Sequence, residues 1–284
     1  MKRTQDMNFP FEKPLVIAHR GARSVAPENT LMAARKGFEL KADLWELDVA
    51  LTSDGEMVVI HDDTLKRTSN VRDLFPLREP WQVHTFSLAE LKTLDFGSFF
   101  VKNDPFGQIR ANNVTPADLE KMTGLKIPTL REALNLTKEL KWQVNVELKD
   151  LSGLDGDAHI AESVVALINE LEMAKSVIIS SFNHSYIFRV KAANASIRTA
   201  ALVEKPVSDP LLLLQDLDAQ AYNPGIKEFS EFDQIGKIRQ AGFDVYIWTV
   251  NDAETMRSLI NAGVSGIFTD FPQLMVEVLK EYSG

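Results

Sequence analysis

Apolar residues gather in short, evenly spaced runs along most of the chain. From residue 130 onward the runs fall at 142–147, 177–181, 197–203, 219–223, 245–250 and 265–269. Between them lie stretches with apolar positions at helical spacing, at about 153–173, 183–193, 208–216, 229–241, 252–262 and 271–282. Two more runs, 15–19 and 44–50, flank a helical pattern over 31–38 and bring the strands to eight. Repeated strand and helix alternation predicts a parallel sheet with right-handed crossovers, and eight such units close a barrel. The expected fold is α/β, a TIM-type (β/α)8 barrel, as a single domain over 1–284.

The second run carries an extra feature. It meets 56–61 across Ser53-Asp54-Gly55, and Asp-Gly between two apolar segments is a strong hairpin signal. A two-residue Asp54-Gly55 loop pairs position 48 with 61, setting His61 opposite Asp48 on the face that also carries Glu46. A register shifted by one residue would turn His61 to the other face. Gly21, after His19-Arg20, permits a tight turn or a close backbone approach. Pro27-Glu28-Asn29-Thr30 leads into the helix over 31–38, with the proline expected in its first turn.

Periodicity fades over 64–127, where prolines and aromatics concentrate, and this stretch reads as an insertion after the second strand and its hairpin. Only 87–94 has a helical signature, with Ser87 as N-cap and Glu90 as its capping-box partner. The aromatics are expected to pack the insertion onto the barrel rim.

Composition narrows the function. The 284 residues, 45% hydrophobic and 25% charged, suit a globular enzyme-sized barrel. A net charge of -9 and the lack of any Lys/Arg run argue against a nucleic-acid partner. No cysteine is present, which excludes disulfides and thiolate metal sites. No apolar run approaches the ~20 residues of a membrane helix, so no membrane insertion is expected. The basic amino terminus lacks an apolar h-region, which points to a cytoplasmic protein. The oligomeric state is left open.

In such barrels the reactive groups collect at the carboxyl ends of the strands. Here the first strand ends in His19-Arg20, the second carries Glu46 and Asp48, and the third ends Glu147-Leu148-Lys149. Glu46, Asp48 and Glu147 form a hard-oxygen ligand set for one divalent cation, Mg²⁺ or Ca²⁺ rather than zinc. Without a cation, the alternative is an ion-pair network with Arg20 and Lys149. His19 and His61 beside those carboxylates suggest acid–base chemistry, whereas His84, His159 and His184 read as surface or packing residues. Arg20 and Lys149 add fixed positive charge, which suits an anionic, phosphate-bearing small molecule.

These residues stand in a recognisable order. His19-Arg20-Gly21, Pro27-Glu28-Asn29-Thr30, Glu46-Leu47-Asp48-Val49 and the segment TSDGEMVVIHDD over 52–63 are followed by Thr64-Leu65-Lys66-Arg67-Thr68. Later come Val146-Glu147-Leu148-Lys149, Ser180-Ser181-Phe182, Trp248-Thr249-Val250-Asn251 and Gly266-Ile267-Phe268-Thr269-Asp270-Phe271-Pro272. Together they resemble the glycerophosphodiester phosphodiesterases, over nearly the whole chain outside 64–127. The resemblance implies a TIM-type barrel with a divalent metal on Glu46, Asp48 and Glu147, and His19 and His61 as the acid–base pair. It further implies a phosphate site shaped by Arg20, Glu28 and Lys149, apolar glycerol contacts from Phe182 and Trp248, and cleavage of glycerophosphodiesters to glycerol 3-phosphate and an alcohol. Two rival readings keep the same barrel: lysophospholipase D-type cleavage of lipid diesters, and a catalytically silent barrel that binds phosphorylated ligands.

Overall fold

The computed structural model describes residues 11–205, 207–227, 229 and 232–282. Among these residues nine strands run in the order β1 Leu15–Ala18, β2 Leu44–Leu51, β3 Met57–Val59, β4 Gln143–Leu148, β5 Val177–Ser181, β6 Arg198–Val203, β7 Ala221–Pro224, β8 Asp244–Ile247 and β9 Gly266–Thr269. All but β3 pair in parallel around a closed circle, β1-β2-β4-β5-β6-β7-β8-β9, with β9 returning to β1. This is the eight-stranded TIM-type barrel.

The strands read as apolar runs because both of their faces are buried. One face packs outward against the helices: Trp45, Leu47 and Val49 of β2 and Val144, Val146 and Leu148 of β4 lie in the main core. The alternate positions turn inward. Ile17, Leu44, Ile178, Ala200, Ala221, Tyr246 and Phe268, each from a different strand, plug the lower barrel. The inward positions two residues further on belong to the mouth at the carboxyl ends.

The predicted crossover helices are present, at Ile160–Glu170, His184–Ala193, Pro210–Asp216, Asp233–Gln240, Ala253–Asn261 and Pro272–Lys280. A separate 3-10 turn, Asp155–Ala158, precedes the first of them. The expected start of the 229–241 helix includes residues 230 and 231, which lie outside the described residues, as do residues 1–10 of the amino terminus. Leu31–Glu39 is capped by Thr30, whose Oγ1 accepts from Ala33 N at 3.1 Å. Pro27 stays outside that helix, and its carbonyl accepts from the Thr30 hydroxyl.

The hairpin forms, but its register differs from the expected one. Val49 pairs with Val59, Ala50 with Val58 and Leu51 with Met57. Thr52 N donates to Glu56 O, so the loop is the three residues Ser53-Asp54-Gly55, with Gly55 at φ +81°. A left-handed glycine closing a three-residue loop is a standard alternative to the two-residue turn, and it shifts the pairing by one. The strand pairing ends at Val59, and the chain bends before His61, so strand alternation no longer fixes where His61 points.

Residues 64–127 hold more structure than periodicity showed. Besides the capped Leu88–Leu91 helix there are short helices at Val71–Leu74, Ser98–Asn103 and Pro116–Met122. Trp81, Phe86 and Phe96 join Val58 and Ile60 of the hairpin in one cluster. Phe100 and Met122 pack on Ala22, Ala26 and Ala33 behind the first strand. The aromatics of this stretch are thus packing residues.

Candidate active site

Adjacent parallel strands bring the acids together. In the β2–β4 register Asp48 stands beside Glu147 and Glu46 beside Asn145, and all four are inward positions. One carboxylate oxygen from each of Glu46, Asp48 and Glu147 lies within 4.8 Å of the others. Burial and the neighbouring carboxylates push Glu46 well above its ordinary value, and burial with Asp48 also raises Glu147. Burial works the same way on Asp48, but Arg20, His61, Lys149 and the Asn29 amide overcome it and hold that carboxyl low. Asp48 Oδ2 accepts from Asn29 Nδ2 at 2.8 Å, while the buried Oδ1 has no hydrogen-bond partner in the protein. An orphaned anionic oxygen among three hard ligands, with no thiolate nearby, fits a hard divalent cation.

The turn after β1 supports this cluster. Arg20, at φ +55°, points its backbone N–H at Glu46 Oε2, 2.7 Å away. Gly21 follows at φ +79°, where a Cβ would lie 2.5 Å from the Ala33 carbonyl carbon, so only glycine lets the turn sit on the helix.

Two histidines border the same pocket as Glu46 and Glu147. His19 Nδ1 lies 2.7 Å from Asp270 Oδ1 and His61 Nδ1 lies 2.8 Å from Asp62 Oδ1. A carboxylate at Nδ1 selects the tautomer with the proton there, leaving each Nε2 as the available acceptor. Burial, then Arg20, lowers the His19 value despite Asp270, which favours the neutral ring.

Positive charge is fixed by buried partners. Lys149 Nζ is 3.0 Å from Glu147 Oε1 and 3.8 Å from Asp48 Oδ1. Arg20 Nη1 donates to Glu28 Oε1 at 2.9 Å, and its Nε lies 3.5 Å from Asp48 Oδ2. Glu28 lies behind Arg20 and does not line the pocket; Arg20, Arg23 and Arg67 converge on its two oxygens. Their bonds and charges overcome burial and hold this carboxyl far below its usual range.

The remaining walls are Asn145, Ser180, Phe182, Leu202, Trp248, Thr249 and Phe268. Phe182 packs edge-on to Trp248 with ring centres 5.5 Å apart and is 40% exposed. Among the other histidines, His184 Nε2 contacts Leu202 O at 2.9 Å, while His84 and His159 border a separate groove beside the hairpin turn.

The structure thus gathers His19, Arg20, Glu46, His61, Glu147, Phe182 and Trp248 around one pocket, with Asp48 and Lys149 beside them and Glu28 behind. Asn29, Asp62, Arg67, Asn251 and Asp270 stand in the sequence motifs with no role assigned to them, and Arg23 was not singled out; these are the side chains that hold the site. Adjacency to His61 was a signal for Asp62, and the end of the last strand was one for Asp270. For Arg67 no local pattern pointed inward.

With this geometry in view, residues 19–274 match the Glycerophosphoryl diester phosphodiesterase family. The chain belongs to that family. A glycerophosphodiester phosphodiesterase of Caldanaerobacter subterraneus subsp. tengcongensis is 35% identical to it over 269 residues, 95% of this chain and 99% of the relative. One from Bacillus altitudinis is 30% identical over 268 residues, 94% and 98% of the two chains. Among solved structures, an Oleispira antarctica phosphodiesterase in complex with the product sn-glycerol-3-phosphate superposes with a TM-score of 0.75 at 28% identity, covering 94% of this chain and 97% of that one. A Silicibacter pomeroyi structure at 24% identity has a TM-score of 0.79 over 97% and 95% of the chains and supports the fold. As a glycerophosphoryl diester phosphodiesterase family member, the protein is an enzyme, a phosphodiester hydrolase on a TIM barrel. No helix among the described residues is long and apolar enough to cross a membrane.

Proposed function

We propose that the enzyme hydrolyses small glycerophosphodiesters to glycerol 3-phosphate and an alcohol, with His19 and His61 as its acid–base pair. The observation that carries this reading is the placement of both imidazoles on the pocket that Glu46 and Glu147 border, each ring anchored at Nδ1 by an aspartate. The barrel would act as one domain, with 64–127 as an insertion within it.

Glu46, Asp48 and Glu147 would hold one divalent cation, Mg²⁺ or Ca²⁺. When bound, such a cation polarises a phosphoryl oxygen and stabilises the charge that develops on it. Arg20 and Lys149 grip the remaining phosphate oxygens. His19 Nε2 is the acceptor suited to take the proton of the attacking hydroxyl, because burial and Arg20 favour its neutral ring. His61, in its imidazolium form with a second proton on Nε2, delivers that proton to the leaving alcohol oxygen and returns to the neutral ring. Phe182 and Trp248 offer an apolar edge for the glycerol carbons.

The test is release of glycerol 3-phosphate from glycerophosphocholine and glycerophosphoethanolamine, on chelator-stripped protein resupplied separately with Mg²⁺ and Ca²⁺. Metal-dependent release is expected. Turnover confined to long-chain lysophospholipids would replace this reading with lipid-diester cleavage, and no turnover of any diester would leave a binding barrel.

A further inference from the structure

Each histidine is held by an aspartate, and each aspartate is held in turn. Arg67 grips Asp62 with two bonds, Nε to Oδ2 at 2.6 Å and Nη2 to Oδ1 at 2.8 Å. The same guanidinium grips Glu28 with two more, Nη1 to Oε2 and Nη2 to Oε1, both 2.8 Å. On the other side Arg23 Nη2 donates to Glu28 Oε2 at 3.0 Å, and its Nη1 lies 3.5 Å from Asp270 Oδ1. A continuous chain therefore runs from His61 through Asp62, Arg67, Glu28, Arg23 and Asp270 to His19.

We infer that Glu28 is the shared positioning residue of the two histidines, setting the orientation of both rings through Arg67 and Arg23, and is not a substrate ligand. The inference rests on the proposal that the histidines are the acid–base pair. Three arginines already occupy both Glu28 oxygens, and an anionic phosphodiester would be repelled by this carboxylate. Buried charge-assisted bonds of this kind have fixed geometry and are costly to break. The two arms differ in strength. Asp62 depends on the bidentate Arg67 grip, whereas Asp270 is also held by Asn251 Nδ2 at 2.7 Å. Loss of Glu28 should therefore disturb His61 more than His19, yet disturb both.

The experiment reads the ring ¹H–¹⁵N shifts of His19 and His61 by NMR in wild type, Glu28→Gln, Arg67→Gln and Arg23→Gln. Spectra are taken with the cation that supports turnover, and kcat and KM are measured alongside. Glu28→Gln is expected to move both rings, Arg67→Gln only that of His61 and Arg23→Gln only that of His19. kcat for Glu28→Gln should fall roughly 10- to 100-fold, the usual cost of losing an outer partner of a reactive ligand, and KM should rise as well to the extent that Arg20 loses its hold on Glu28. Shifts at one ring or neither, or a rise in KM at unchanged kcat, would overturn the inference. Should Glu28→Gln fail to fold, the double variant Arg23→Gln/Arg67→Gln must move both rings. Full activity in His19→Ala and His61→Ala would defeat the acid–base reading itself, whatever the ring shifts show.

Discussion

The inward face of the barrel has two layers built by the same strands. In the lower layer Leu44, Ile178, Tyr246 and Phe268 close the barrel as an ordinary core. Two residues further along β2 the inward positions become Glu46, and then Asp48. The lower layer buries apolar area, worth about 25 cal/mol per Å², and nothing in it repels. The upper layer buries three carboxylates with oxygens within 4.8 Å of one another, a cost that one bound cation would remove. One strand geometry thus supports stability at one end and a charged, ligand-demanding site at the other.

Exchanging an acid for its amide breaks the contrast most sharply. Asp48→Asn or Glu46→Gln should abolish most turnover, since metal-ion charge stabilisation is worth several kcal/mol, a loss of roughly 10³-fold or more. Glu46→Gln should leave the metal-free protein as stable as wild type or more so, because burial and the neighbouring carboxylates hold its carboxyl high, whereas Asp48→Asn should destabilise it, because Arg20, His61 and Lys149 hold that carboxyl low. A clear drop in the melting temperature of metal-free Glu46→Gln would show that acid to be structural. His19→Ala and His61→Ala come next, each costing about 10²-fold or more in kcat; a loss below tenfold would remove that ring from the acid–base role. In the lower layer, Ile178→Ala should cost about 2 to 5 kcal/mol in urea melts and leave kcat of the folded fraction nearly unchanged. A selective loss of kcat there would mean that the plug shapes the site.

The smallest effect is on pH. Glu46 and Glu147 have raised values in the folded protein, so above about pH 4.3 these two carboxyls bind more protons there than in the unfolded chain. They add stability to the metal-free protein as pH falls from 7 toward 5, while His19, lowered in the fold, takes some away below about pH 6.5. Glu28, Asp62 and Asp270 have the opposite sign. Their stabilisation is complete above their unfolded values near pH 4 and is lost as pH falls through the depressed ones. Thermal melts from pH 3 to 8 should show a maximum on the mildly acid side, flattened by added cation. A pH 7 to 5 profile without metal that Glu46→Gln and Glu147→Gln leave unchanged would contradict these assignments.

Much of this was legible in the chain because parallel strands leave apolar runs, and a charged residue within or just after such a run stands out. Glu46, Asp48, Glu147 and His19 were found that way. The hairpin register was not, because Ser53-Asp54-Gly55 suits both a two- and a three-residue loop, and His61 reaches the pocket only through the bend beyond β3. The support of the histidines was hidden for another reason. His19 and Asp270 lie 251 positions apart, and Glu28 and Arg67 lie 39 apart; no local periodicity joins them. The helices Val71–Leu74, Ser98–Asn103 and Pro116–Met122 are too short for an apolar stripe to repeat. Thr115-Pro116, a cap followed by proline in the first turn, was the one readable signal among them.

The claim on which the account turns is that the three buried carboxylates are a cation site. Isothermal titration of chelator-stripped protein with Mg²⁺ and with Ca²⁺, repeated in buffers of different ionisation enthalpy, tests it directly. One divalent ion per chain should bind with release of protons from Glu46 and Glu147, and Glu147→Gln should lose most of the affinity. Absence of binding by either ion, or binding that survives Glu147→Gln unchanged, would contradict it.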